Sequence, residues 1–157
     1  MRNRSSLIIS ALGCATILSI LAACNRAPEV PPKAVEITAN DQMKFSITNF
    51  EVQRGQAVTV TLKNTGTSPK VSMGHNFTVL AKNVNWKEFV EKASTEAAHD
   101  YIPPDSASQI IAHTKLLGPG ESDSITFNAP LIPGDYDFVC TFAGHATQGM
   151  RGTMTVK

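Results

Sequence analysis

The sequence predicts an all-β fold, a β-sandwich or barrel of about eight strands carrying one helical flap. Three observations predict it. From Val35 onward, short runs alternate apolar and polar residues, the period of a half-buried strand. Turns rich in glycine and proline separate several of these runs. One stretch only changes to helical spacing.

The chain begins with a segment of another kind. "MRNRSS" places two arginines ahead of the apolar run "LIISALGCATILSILAA", the layout of a secretory signal. Leu21, Ala22, Ala23 and Cys24 resemble a bacterial lipobox, which implies removal of residues 1–23 and acylation of Cys24. The protein would then be tethered to a membrane by lipid rather than spanning it, whereas an uncleaved apolar run would be a membrane helix. Asn25, and not aspartate, follows the cysteine, which points toward the outer membrane. Residues 24–34 hold three prolines in "NRAPEVPPKA" and read as an extended spacer, leaving 35–157 as the folded domain.

Within that domain the strand candidates are, in order, "VEITA", "MKFSIT", "AVTVTL", "HNFTVLA", "IIAHTKLL", "SITFNA", "YDFVCTF" and "GTMTVK". "QRGQ", "KNTGTSPK", "LGPGES" and "IPGDY" supply turns between them. In "NWKEFVEKASTEAAH" the apolar Trp86, Phe89, Val90, Ala93 and Ala97 recur at helical spacing, predicting a flap that packs on the sandwich and ends before Pro103.

The 157 residues are 42% hydrophobic, enough for one domain with a sizeable core. Fourteen basic and thirteen acidic side chains form no basic stripe, which argues against nucleic acid as a partner. Cleavage would remove Arg2 and Arg4, leaving twelve basic groups against thirteen acidic ones. Cys14 would leave with the signal and Cys24 would be acylated, so Cys140 becomes a lone thiol in an oxidising compartment.

The alternation in "GDYDFVCTF" turns Tyr136, Phe138 and Cys140 to one face, so Cys140 points toward the core at a strand end. A buried free cysteine is commonly just a small hydrophobe. Here "CTFAGHATQGM" adds His145 and Met150 on the same loop, each preceded by glycine, and thiolate, imidazole and thioether are soft-metal ligands. A catalytic Cys–His pair would leave Met150 without a role. Structural zinc sites usually draw on more cysteines and seldom on methionine. Two histidines and one cysteine with a long methionine contact describe a blue-copper centre, and "MGHNF" offers His75 as the second histidine. His99 and His113, at a helix end and in a strand, are assigned no metal.

"NDQM", "MGHN", "IAHTKL" and "CTF.GH" occur here in the order found in the cupredoxins, and the stretch from Val35 to Lys157 resembles the azurins and auracyanins of that family. The resemblance implies a Greek-key sandwich and one type 1 copper ion. It implies His75, Cys140 and His145 as its ligands, Met150 as a weak axial ligand, and the Gly74 carbonyl opposite. By the same likeness Asn76 and Thr141 link the two ligand loops, and N–H groups near Asn76 and Phe142 hydrogen-bond the thiolate. Electrons would cross at the His145 edge, through a patch including Met73, Phe142, Ala143 and Gly144, made more polar here by Ser68, Ser72 and Gln148.

The implied function is single-electron transport between Cu(I) and Cu(II), with redox partners such as c-type cytochromes or a terminal reductase or peroxidase and with no small-molecule substrate. A copper storage or delivery module would use the same ligands. The sequence departs from azurin in three ways. Four residues separate His145 from Met150, one more than in azurin; no cysteine stands near Lys33 and Gly55 to make azurin's disulfide; and Asn64 replaces a histidine that titrates near the metal. The last change predicts a potential that varies less with pH near neutrality.

Overall fold

The computed structural model describes residues 30–157. The signal segment 1–23, the acylation of Cys24 and the first part of the 24–34 spacer lie outside the described residues. Among the described residues, nine strands form two mixed sheets. One sheet has the order β2 (Lys44–Phe45), β1 (Lys33–Asn40), β4 (Ala57–Asn64), β7 (Ser122–Asn128). The other runs β3 (Asn49–Val52), β9 (Arg151–Val156), β8 (Gly134–Val139), β5 (Thr78–Leu80), β6 (Ile110–His113). β1 pairs with β4 in parallel, as does β3 with β9, and the other pairs are antiparallel.

The alternation read in the sequence is what packs the two sheets together. Val35, Ile37 and Ala39 from β1 and Val58, Val60 and Leu62 from β4 meet Tyr136, Phe138 and Met154 from β8 and β9. Phe77 and Phe138 lie 4.9 Å apart at the centre, with Phe45 and Phe50 on the Phe138 ring at 5.8 and 5.6 Å. Tilted aromatic pairs at these separations add to their area burial.

Several elements differ from the prediction; β5 and β6, for example, keep only Thr78–Leu80 and Ile110–His113 of their predicted runs. "MKFSIT" yields only β2, because the Ser46 hydroxyl accepts from Thr38 N–H and Ser46 N–H donates to the Thr38 carbonyl, which ends the ladder. The chain then crosses to the other sheet and makes β3 from "NFEV", a strand absent from the predicted set. β1 also starts at Lys33, two residues before the predicted domain start.

The helical flap is shorter than its apolar spacing suggested. α1 (Lys70–Met73) is a single turn, and α2 spans Trp86–Ala93. Asn85 caps α2, accepting from Lys87 N–H at 3.1 Å. At the other end the Ser94 and Thr95 hydroxyls donate to the carbonyls of Glu91 and Lys92, local bonds that compete with continued helix. Ala97 therefore falls in a separate 3-10 turn, Ala97–His99. Phe89, Val90 and Ala93 of α2 pack with Leu80, Val139 and Ala146 in a second cluster, which ties the flap to the loop after β8.

Candidate metal centre

Cys140 follows the last residue of β8 and is fully buried. Its N–H donates to the Met150 carbonyl, and Met150 N–H donates to the His145 carbonyl, so residues 140–150 close on themselves. Gly144 at φ +84° and Gly149 at φ +96° make that tight path possible, since side chains with a Cβ rarely adopt it. Met150 is itself fully buried.

His75 arrives from the other side. It forms an isolated bridge with Leu117, both N–H groups donating across it at 3.0 and 2.7 Å. Gly74 before it must lack a side chain, because a Cβ there would meet the Lys70 carbonyl at 2.7 Å and Leu116 Cγ at 2.9 Å. Asn76 after it fastens the two loops together. Its Nδ2 donates to Thr141 Oγ1 at 2.6 Å, and its Oδ1 accepts from Thr141 N–H at 2.8 Å.

One donor atom from each of His75, Cys140 and His145 lies within 4.8 Å of the others, all three residues buried. Cys140 Sγ stands 3.5 Å from His145 Nδ1. Neither ring nitrogen of His75 has a hydrogen-bond partner, although the ring is fully buried. A buried polar atom without a partner is costly, and a cation accepting its lone pair removes the cost.

The electrostatics favour the same occupant. Burial pushes the Cys140 thiol up to about 12, against the opposing pull of the Asn76 and Phe142 N–H groups. A bare thiolate is therefore disfavoured there, and a metal ion beside it would stabilise that form. Burial lowers His145 to about 4 and, with it, lowers His75, so both imidazoles are neutral near pH 7 with lone pairs to offer. One thiolate and two imidazoles suit copper.

The other sequence-singled residues fall around this cluster. Met73 is half-buried, Phe142 is buried, and Ala143 and Gly144 are exposed. Ser72 and Gln148 are exposed and Ser68 is half-buried. His145 shows only 3% of its surface. His99 and His113 are exposed, their Nδ1 atoms engaged by Glu96 and the Thr114 carbonyl. Asn64 is fully buried; it accepts from Gly66 N–H and donates to the Leu117 carbonyl.

Two supports were missed in the sequence. Thr114 Oγ1 accepts from Phe77 N–H, and Tyr101 stacks on Phe142 at 4.6 Å. The "HTK" of "IAHTKL" marks the first, whereas nothing local marks the second.

A profile described as copper binding proteins, plastocyanin/azurin family, matches residues 33–157. Azurin of Pseudomonas aeruginosa is 40% identical over 150 residues, covering 93% of this chain and 97% of that protein. Outer membrane protein H.8 of Neisseria gonorrhoeae is 42% identical over 125 residues, covering 78% of this chain and 67% of that one. Dithionite-reduced auracyanin of Roseiflexus castenholzii superposes with a TM-score of 0.67 at 37% identity, covering 82% of this chain and 99% of that one.

Proposed function

The chain belongs to the plastocyanin/azurin family of copper binding proteins and has one type 1 copper site, and from that premise we propose that it is an exported, lipid-anchored carrier of single electrons. The observation that carries the reading is the buried His75–Cys140–His145 cluster with both His75 nitrogens unpartnered. These three residues would hold the ion, with Met150 and the Gly74 carbonyl as weaker donors. Copper there would supply a one-electron couple between Cu(I) and Cu(II).

The protein's part is to keep the donors in place. Asn76 locks the Cys140 loop to the His75 loop, and the N–H groups of Asn76 and Phe142 stabilise negative charge on the sulfur. Burial of all three donors keeps water away, so little rearranges when the charge at the site changes. Transfer across the narrow His145 edge suits a redox protein in brief contact, such as a c-type cytochrome or a terminal reductase or peroxidase. The acyl anchor at Cys24 is supported by the lipobox-like residues 21–24, and an outer-membrane address by the likeness to a protein of that name.

The test is the visible spectrum of the 25–157 fragment with Cu(II), beside Cys140→Ser. An intense blue thiolate-to-copper band absent from the mutant is expected; copper bound without that band would favour storage or delivery. Asn64 does not change charge near neutrality, so potentiometry of the loaded protein should give a potential nearly flat between about pH 6 and 8, the span in which a histidine would titrate. A steady fall comparable with azurin's would contradict this.

A further inference from the structure

With 3% of His145 exposed, a bare imidazole edge is a small window for electron exchange. Two aromatic rings continue it outward. Phe142 lies against His145 with centroids 4.5 Å apart and planes tilted by 32°. Tyr101 lies against Phe142 at 4.6 Å and 48°, and it is half-buried where Phe142 is buried. Both rings line a surface groove of about 320 Å³, open to small solutes.

The outer ring is held in place at a conformational cost. Asp100 and Tyr101 are consecutive non-glycine residues in the left-handed region, at φ +54° and +61°. That region is uncommon for any residue with a Cβ and least expected for a bulky one. Tyr101 N–H donates to the Glu96 carbonyl at 2.9 Å. The Asn76 amide, which fastens the ligand loops, also donates to the Asp100 carbonyl at 3.4 Å. One side chain thus registers the Tyr101 turn against the Cys140 loop. Tyr101 also touches the main core, so a ring present only to fill space is the competing account.

We propose that Tyr101 is a coupling residue, and that the Tyr101–Phe142 stack is a second route by which an electron passes between the His145 side of the site and an external acceptor. This rests on the electron-carrier reading above. In each event one electron leaves the reduced site and reduces a one-electron oxidant, either a metal complex or a c-type haem. Neither ring is oxidised along the way, so no proton is released and Tyr101 keeps its hydroxyl hydrogen.

The experiment follows oxidation of the copper-loaded, reduced protein by ferricyanide in stopped flow, for wild type, Tyr101→Phe and Tyr101→Leu. Reduction potential and visible spectrum are recorded for each. The leucine variant should react several-fold more slowly with potential and blue band unchanged, and Tyr101→Phe should recover the wild-type rate because the ring, not the hydroxyl, couples. If the leucine variant does not fold, Tyr101→Met fills similar space without a π-face and is read the same way. A wild-type rate without the ring overturns the inference. So does a slow rate accompanied by a shifted band or potential, which would make Tyr101 packing for the ligand loop, or a slow Tyr101→Phe. A wild-type protein that shows the blue band but does not exchange electrons overturns the carrier reading itself, and this route with it.

Discussion

Asn76 is the residue on which the site's order most depends. It holds Thr141 by two hydrogen bonds, and Thr141 sits directly after Cys140. Asn76→Leu leaves the buried Thr141 N–H without a partner, which should cost about 1–3 kcal/mol for that group alone. Thr141→Val keeps the N–H bond and loses only the hydroxyl contact, so its cost should be smaller, about 1 kcal/mol. Urea unfolding of the two variants checks the order; equal costs would mean that the hydroxyl contact, and not the amide one, joins the loops. Cys140 and His145 were legible in the sequence because soft-ligand side chains on one glycine-bracketed loop have few other uses, whereas His75, on another loop, was legible only through its "MGHN" segment. Tyr101 was not legible. Its turn carries no glycine to announce the left-handed backbone, and its stacking partner is 41 positions away in sequence.

At the scale of elements, α2 is joined to the metal centre through packing. Phe89 is 2% exposed and shares a cluster with Val139, just before Cys140, and Ala146, just after His145. Phe89→Ala should destabilise the fold by about 3–5 kcal/mol, the range for emptying a buried aromatic site. The exposed Lys87→Ala should stay within about 0.5 kcal/mol of wild type. Thermal or urea unfolding of both decides it, and a mild Phe89→Ala would show that the flap is only loosely docked. β4, β7, β8 and β9 were readable because the sandwich buries alternate residues and the period survives in the sequence. The ends of β2 and α2 were not, since side-chain hydroxyls at Ser46, Ser94 and Thr95 take over backbone partners there. β3 was hidden for a related reason. Its four residues pair in parallel with β9 about 100 positions on, and nothing local encodes that.

For the molecule as a whole, two carboxylates pull the pH dependence of stability in opposite directions. Asp41 accepts from Thr67 N–H, Thr67 Oγ1 and Ser68 N–H, and these bonds, the Thr67 N–H first, hold it below its ordinary value despite some desolvation. Asp137 on β8 is instead raised, chiefly by burial and further by Asp135, with Arg151 offsetting part of the shift. The signs follow from linkage. A depressed carboxylate adds stability that is fully present above its unfolded value of 3.8 and disappears as the pH falls through the folded one. A raised carboxylate subtracts stability while ionised, and the penalty disappears as the pH falls through its folded value toward 3.8. Asp41→Asn should therefore destabilise at pH 7 and approach wild type in strong acid. Asp137→Asn should stabilise at pH 7 and lose that advantage below the ordinary carboxylate range. Both partners of Asp41 lie in the loop that leads from β4 toward α1 and His75, whereas Asp137 sits within the β8–β9 pair. Urea midpoints for the copper-free protein and both variants between pH 7 and 3 test the pair. Curves that shift together with pH, rather than converging on wild type from opposite sides, would show that neither carboxylate carries the difference assigned to it.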